Sequence, residues 1–267
     1  MGYRPISQPA HTDPPGCTGS IPPLPLTVKD FAGILEKEIG TGQEMEWKNT
    51  VSKAAIFDLD GTLLDSLGDI ALCANTALEM YNLPQHPVEE YKNFVGWGVA
   101  RLIRNMMTPQ DYALHGEKVY ADYQMLYGDL CAKGGRPYAG VLAMLRTLQA
   151  AGWKTAVVSN KPHQATLSVQ LSTYGDTLDL AVGQQEGVPP KPDPAGVFQV
   201  LETLEASPRD CVYVGDSEVD VMTGRAAGIY TVAVTWGFKS RDFLKSHGPD
   251  ALADTVEELE KIILARG

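Results

Sequence analysis

Two aspartates one residue apart, Asp58 and Asp60, end the apolar run of "AAIFDLDGT" and are the residues of this chain best placed for chemistry. Residues i and i+2 of an extended strand point to the same side, so both carboxylates can address one point. Burying an unpaired carboxylate is costly, and two like charges this close repel each other. We therefore expect cationic groups nearby that offset the cost.

Polar side chains also follow three later apolar runs. They are a serine and an amide after the second run, a lysine after the third, and a serine with two aspartates after the fourth: Ser159, Asn160, Lys191, Asp216, Ser217 and Asp220. Because the carboxyl ends of parallel strands meet at one edge of a sheet, ligands bind there. We expect these four groups, far apart in sequence, to converge on one crevice.

The elements that must position these residues alternate between short strands and longer helices. Strands are predicted at residues 54–57, 154–159, 178–183, 211–215 and 230–235. Their continuous apolarity is typical of a parallel sheet covered on both faces. Helical patterns lie between or after them, at residues 141–151, 163–173, 194–205, 220–227 and 256–265. The alternation predicts an α/β fold with a doubly wound, Rossmann-like parallel sheet.

One long stretch interrupts this alternation. From residue 67 to residue 135 the pattern is helical, directly after the first strand. An insertion at that edge of the sheet would lie over the site. We therefore predict an all-helical cap at residues 67–135 and a core at residues 51–66 and 136–267. Residues 1–50 are proline-rich and lack a secretory signal pattern, and we expect a disordered or poorly packed extension there.

Composition excludes several classes of protein. The formal net charge is -11 and the pI is about 4.9, which argues against a nucleic-acid-binding surface. No apolar run approaches the roughly 20 residues of a membrane span. The four cysteines are scattered and show no zinc spacing. We expect a cytoplasmic protein without nucleic-acid or membrane partners; whether it is a monomer or a dimer is not indicated.

The converging side chains comprise four aspartates, a hydroxyl, an amide and one lysine. The excess of carboxylates requires a cation, and oxygen ligands without histidine or cysteine favour Mg²⁺. Together with Lys191, that cation leaves room for a bound phosphate. An aspartate can act as the nucleophile through an aspartyl-phosphate. A second carboxylate, for which Asp60 is placed, can protonate the leaving oxygen and later activate water.

At these residues the chain resembles the haloacid dehalogenase-like (HAD) superfamily. "DLDGT" is similar to its first motif, Ser159 to the second, Lys191 to the third and "GDSEVD" to the fourth. The phrases "FVGWGVARLI", "SNKP", "KPDP" and "VAVTWGF" are most similar to phosphoglycolate phosphatases. The resemblance covers about residues 53–267. It implies a Mg²⁺-dependent hydrolase of a small phosphorylated metabolite, with 2-phosphoglycolate favoured.

The resemblance also implies roles for the motif residues. Asp58 would be the nucleophile and a metal ligand. Asp60 would be the general acid and base, with its backbone carbonyl on the metal, and Asp216 would be the third protein ligand. Ser159 would hydrogen-bond a phosphoryl oxygen, while Lys191 would neutralise the phosphate and steady the nucleophile.

Further residues would support these groups or select the substrate. Asp220 and Ser217 would lie behind the metal ligands, with Asp220 orienting Lys191 or a water molecule. Thr62 and Asn160 would contact the substrate, the backbone N–H near Asn160 helping to cradle the phosphate. Arg101 in the cap would bind a substrate carboxylate, unless it lies on a solvated helix face.

Two other reactions use the same kind of core. A phosphomutase of the β-phosphoglucomutase kind would need a sugar bisphosphate intermediate, and a pyrophosphatase would cleave an anhydride. The cap carries no motif that decides among them. Without metal, the paired aspartates are expected to repel each other, which would raise the pKa of Asp58 or Asp60.

Overall fold

The computed structural model describes residues 52–128 and 135–267. The predicted extension, residues 1–50, lies outside the described residues, as do the last residues of the predicted cap before position 135. Among the described residues, no helix is both long and apolar enough to cross a membrane.

The described strands form one large sheet and one small one. In chain order they are β1 (Ser52–Phe57), β2 (Leu64–Asp65), β3 (Arg136–Pro137), β4 (Trp153–Pro162), β5 (Leu180–Gln184), β6 (Ala206–Gly215), β7 (Tyr230–Val234) and β8 (Ala251–Ala253). Six of them pair in the order β5-β4-β1-β6-β7-β8, and every pairing is parallel. The chain adds β4 and β5 on one side of β1 and β6 to β8 on the other, so the strand order reverses at β1. A ligand crevice is expected at such a switch point.

Helices connect the strands. They are α1 (Leu67–Glu79), α2 (Val99–Asn105), α3 (Pro109–Leu126), α4 (Val141–Ala150), α5 (His163–Val169), α6 (Ala195–Thr203), α7 (Glu218–Ala226), α8 (Arg241–Ser246) and α9 (Val256–Leu264). The helix predicted at residues 163–173 is divided, because a π-helix (Gln170–Tyr174) follows α5. The other four predicted core helices lie within two residues of their predicted bounds.

Alternate residues of β1 pack on opposite faces of the sheet. Ala55 and Phe57 belong to a buried cluster with side chains of α4 and α9, whereas Ala54 and Ile56 belong to a cluster with side chains of α6. A strand covered on both faces has no side chain that can face water, which is why its sequence is apolar throughout. The predicted doubly wound α/β fold is confirmed.

The cap segment forms a hydrophobic cluster of its own. Helices α1, α2 and α3 and the 3₁₀ helix Val88–Asn93 supply most of the cluster, and Ala165 and Phe238 of the core complete it. The structure describes residues 67–128 and residue 135 of the cap segment, and no strand occurs among them. Its treatment as a separate cap domain stays a prediction.

Three short elements escape the sequence pattern. They are the β2–β3 pair, strand β8 and helix α8. Each is too short for its sequence to show a recognisable pattern: helix α8 has six residues, and β8 has only three, Ala-Leu-Ala. Strand β8 is held by pairing with β7 at the edge of the sheet, a contact that local patterning cannot anticipate.

Candidate active site

Asp58 continues β1 by one residue and lies at the centre of the site. Its backbone N–H donates to the carbonyl of Val214 on β6 at 2.8 Å, which carries the strand pairing through to the carboxylate. The residue is 8% exposed. Its Oδ1 atom is 2.8 Å from Lys191 Nζ, an ion pair at the carboxyl end of the sheet.

Lys191 bridges two aspartates. Besides Asp58, its Nζ donates to Asp220 Oδ1 at 2.7 Å. The backbone at Lys191 is held by Asn160, whose Oδ1 accepts from the Lys191 N–H at 2.8 Å and whose Nδ2 donates to the Lys191 carbonyl at 3.1 Å. The sequence places Lys191 in a loop, and the side chain of Asn160 is what fixes that loop.

Asp216 lies one residue beyond β6 and is 1% exposed. Its Oδ1 accepts from the Thr62 hydroxyl at 3.1 Å, and its Oδ2 accepts from the Phe238 N–H at 2.7 Å. Gly61 passes so close that a Cβ built on it would lie 2.4 Å from Asp216 Oδ2, and its φ of +88° also favours glycine. The "DGT" turn therefore serves as packing surface for the fourth motif.

Asp220 is fully engaged by protein groups. Its Oδ1 accepts from Lys191 and from the Tyr213 hydroxyl, the latter at 3.3 Å. Its Oδ2 accepts from the Ser217 hydroxyl at 2.6 Å and from the Ser217 N–H at 3.1 Å, at the start of α7. This pattern suits a residue that orients Lys191 rather than one that contacts a substrate.

Burial controls the electrostatics of the cluster. It raises the pKa of Asp58 from its usual 3.8 to about 7, against the opposing charge of Lys191, and the charge of Asp220 adds to the rise. Burial, with the charges of Asp220 and Asp58, also raises the pKa of Asp216 well above its ordinary value. Burial lowers the pKa of Lys191, but Asp220 and Asp58 outweigh it and the net shift is strongly upward. The pKa of Asp58 is thus raised in the direction expected for the metal-free pair, but burial is the main cause and repulsion from Asp60 is the smallest.

The cluster fits a divalent cation. One carboxylate oxygen from each of Asp58, Asp216 and Asp220 lies within 4.8 Å of the other two. Three buried carboxylates face one lysine, which leaves an excess of negative charge. Burial first, and the charge of Asp220 as well, raise the pKa values of Asp58 and Asp216. Oxygen ligands of this kind are preferred by hard cations. Because Asp220 accepts four hydrogen bonds and Asp216 accepts only two, Asp58 and Asp216 are the better placed ligands.

A cavity lies against this cluster. Polar residues from the strand ends form one part of it: Asp58, Asp60, Ser159, Asn160, Lys161, Asp216 and Ser217. Residues of the cap segment form most of the apolar part: Ile70, Val95, Val99, Leu102, Tyr123 and Tyr127. Residues of the first, second and fourth motifs therefore line a cavity that the cap segment helps to form, and Lys191 of the third motif contacts Asp58 next to it.

Two predicted substrate contacts are engaged elsewhere. Thr62 is fully buried and donates to Asp216. Arg101 is exposed, its guanidinium lies 4.4 Å from the centre of the Trp97 ring, and it is not among the residues that line the cavity. Their roles in substrate binding stay predictions.

Lys161 is a site residue that sequence reasoning missed. Its Nζ is 2.9 Å from Asp60 Oδ1, and it also donates to the Tyr127 hydroxyl. The side chain is 2% exposed. The available signal was its position in the sequence, since Lys161 directly follows the predicted site residues Ser159 and Asn160 near the end of β4.

Three hydrogen bonds fasten residues 92–97 of the cap segment to the core. Asn160 Nδ2 donates to the Gly96 carbonyl at 3.1 Å, and Lys239 Nζ donates to the Lys92 carbonyl at 2.8 Å. Trp97 Nε1 donates to Glu218 Oε1 at 3.0 Å. The same part of the cap segment that lines the cavity is thus tied to the strand ends.

Comparison with known proteins supports the reading of these motifs. A phosphoglycolate phosphatase of Haemophilus influenzae is 32% identical over 227 residues, which cover 80% of this chain and 100% of the relative. One from Aquifex aeolicus is 30% identical over 79% of this chain and 96% of its own length.

Solved structures and a family model agree with these relatives. A crystal structure from Lactobacillus delbrueckii subsp. bulgaricus, proposed to be a phosphoglycolate phosphatase, has a TM-score of 0.73 and 32% identity and covers 80% of this chain and 99% of its own. The model for haloacid dehalogenase-like hydrolases matches residues 55–234, which include all four motifs. The chain therefore belongs to the haloacid dehalogenase-like hydrolase family.

Proposed function

We propose that this chain is a Mg²⁺-dependent phosphatase of small phosphate monoesters, with 2-phosphoglycolate as the favoured substrate and an aspartyl-phosphate as the intermediate. The observation that carries the proposal is the placement of Asp58 beside the cavity, with one oxygen on Lys191 and Asp216 within reach of the same point. The names of the relatives support the choice of substrate.

The reaction follows from the positions of two carboxylates. Asp58 attacks phosphorus, and the bond from phosphorus to the ester oxygen breaks as Asp60 gives that oxygen a proton. Asp60 then takes a proton from water, which attacks phosphorus and releases Asp58 and inorganic phosphate. Lys191 keeps Asp58 oriented and offsets the charge of the phosphoryl group throughout.

A cation completes the charge balance of the site. Asp58, Asp216 and the backbone carbonyl of Asp60 would hold Mg²⁺, which stabilises the negative charge on the transferring phosphoryl group. Ser159 lies in the cavity wall with 6% exposure and would hydrogen-bond a phosphoryl oxygen. Asp220 would orient Lys191, and Ser217 would hold Asp220 in place through its hydrogen bonds.

A panel of phosphate compounds tests the proposal. Phosphate release would be measured from 2-phosphoglycolate, 2-hydroxyethyl phosphate, pyrophosphate and β-glucose 1-phosphate, with Mg²⁺ and again with EDTA. We expect release from monoesters in Mg²⁺, highest with 2-phosphoglycolate, and none in EDTA. Asp58→Asn should abolish it, while Asp242→Asn, at an exposed position of α8, should not.

Other outcomes would select the alternatives. Release confined to pyrophosphate would replace the proposal by a pyrophosphatase. Conversion of β-glucose 1-phosphate that depends on added sugar bisphosphate would indicate a mutase. Activity retained by Asp58→Asn would refute the covalent scheme.

We also propose a cytoplasmic location, which is supported by the composition of the sequence.

A further inference from the structure

We propose that Lys161 selects the substrate by binding a carboxylate on its leaving group. The inference rests on the proposed phosphatase activity and narrows its substrate class to monoesters whose alcohol carries a carboxylate one carbon from the ester oxygen. Lys161 would then be a residue of specificity, distinct from the four motifs that carry the chemistry.

The position of Lys161 is fixed from three directions. Lys161 lies near the end of β4, where its backbone N–H donates to the Ser159 hydroxyl oxygen at 3.3 Å, and its Nζ is 2.9 Å from Asp60 Oδ1. The Tyr127 hydroxyl accepts from the same Nζ, and the ring centre of Tyr127 is 4.6 Å away. Tyr127 is in turn stacked on Tyr123, with ring centres 5.4 Å apart. A buried ammonium held in this way is preorganised for an anion.

The partner of Lys161 indicates which part of a substrate it would meet. Asp60 has to contact the ester oxygen in order to protonate it, so a cation in contact with Asp60 lies beside the first atoms of the leaving group. In 2-phosphoglycolate a carboxylate follows that oxygen after a single methylene group. An ammonium group has three donors, and Asp60 and Tyr127 take two of them, so one remains for the substrate.

The other cations near the cavity are less suitable. Lys191 is held between Asp58 and Asp220. Lys239 lines the cavity but donates to the Lys92 carbonyl, and the exposed Arg101 stacks on Trp97. Among the described residues, Lys161 is thus the lysine or arginine that lines the cavity and also contacts Asp60.

The surroundings of Lys161 favour the binding of an anionic group. Burial raises the pKa of Tyr127 well above its ordinary value, so its hydroxyl is neutral and does not cancel the charge of Lys161. The adjoining wall is apolar, and includes Ile70 and Leu102. A carboxylate without a cation would be strongly disfavoured there. Because this wall disfavours an unpaired charge, a substrate carboxylate is expected to bind only where it contacts Lys161.

The test compares two substrates that differ in the carboxylate. The ratio of kcat/KM for 2-phosphoglycolate to that for 2-hydroxyethyl phosphate would be measured with Mg²⁺ in the wild type, Lys161→Met and Lys161→Arg. Loss of one partner of a buried charge pair predicts that Lys161→Met lowers this ratio at least about 30-fold. Lys161→Arg should keep the ratio within about 10-fold of the wild type. Lys154→Met is the matched control, because it removes an exposed ion pair with Asp179 from the same strand; it should leave the ratio unchanged.

Each outcome separates this inference from the proposed function. Equal loss on both substrates in Lys161→Met would show that Lys161 acts only through Asp60 or the fold, and would overturn the inference. So would a wild type that hydrolyses both substrates equally well, a result that needs no variant; it would also remove the preference for 2-phosphoglycolate but leave the proposed phosphatase chemistry intact. A wild type that releases phosphate from no monoester would overturn both.

Discussion

Replacing Asp58 by asparagine should abolish turnover and yet stabilise the metal-free protein at pH 8. Asp58 is 8% exposed, and burial raises its pKa from the usual 3.8 to about 7. Each pH unit between these values is worth about 1.4 kcal/mol. The ionised carboxylate therefore costs the folded state about 4 kcal/mol, and the asparagine removes that cost while Lys191 keeps its bond to Asp220.

The sign follows from proton binding. The unfolded chain releases the Asp58 proton near pH 4 and the folded protein holds it to about pH 7, so the folded state binds more protons in between. Stability contributed by Asp58 consequently falls as pH rises through this window. The advantage of Asp58→Asn over the wild type should be about 2 kcal/mol at pH 5 and about 4 kcal/mol at pH 8.

Urea unfolding in EDTA at the two pH values measures this difference. Asp179→Asn is a control for which the opposite change in stability is expected. Burial acts to raise the pKa of Asp179, but hydrogen bonds from Thr155 and Lys154 hold that pKa below its ordinary value. That substitution should destabilise the protein at pH 8. An Asp58→Asn protein that is no more stable than the wild type at pH 8 would refute the conclusion that the buried, ionised carboxylate of Asp58 destabilises the metal-free fold.

Two further substitutions test the packing of the site. Lys191→Met leaves Asp58 and Asp220 buried without their cation and should lower the free energy of unfolding by about 3–5 kcal/mol. Lys154→Met removes an exposed ion pair and should lower it by less than about 1 kcal/mol. Equal losses in urea unfolding would contradict the stabilising role of the buried ion pairs of Lys191. Gly61→Ala places a Cβ 2.4 Å from Asp216 Oδ2 and should reduce kcat/KM at least about 100-fold. Gly152→Ala has a similar φ of +84° but no neighbour within 4 Å, so it should lower stability and spare activity; similar kinetics for the two variants would exclude displacement of Asp216 as the cause.

The strand ends of the site were predictable because their signals are local. An apolar run that stops at Asp58, or at Asp216, marks both the strand and the residue beyond it, and the parallel sheet brings such ends together. The family resemblance added roles to residues that periodicity had already placed. Strand β8 and helix α8 were missed because they are too short for a pattern of apolar residues to be recognised.

The remaining differences arise from tertiary contacts. Lys161 was overlooked because its partner Tyr127 lies in the cap segment, 34 positions away along the chain. Asn160 was expected to contact substrate, but its side chain amide is used to hold the Lys191 loop and the Gly96 carbonyl. Arg101 was a reasonable candidate by charge alone, and the structure places it against Trp97. Apart from Arg101 and Trp97, which are four positions apart, these partners are distant along the chain, so local sequence patterns do not indicate the pairings.

The attachment of residues 92–97 to the core has a consequence for how such enzymes diversify. Two of its three hydrogen bonds end on backbone carbonyls of the cap segment, at Lys92 and Gly96, while the donors Lys239 and Asn160 are core side chains. A carbonyl is present whatever residue occupies position 92. Mutations that adapt the cap to a new metabolite can therefore accumulate there without detaching it, and the selective constraint falls on the core. The cap can therefore change in sequence, and with it the substrate, while these two hydrogen bonds to the core are kept.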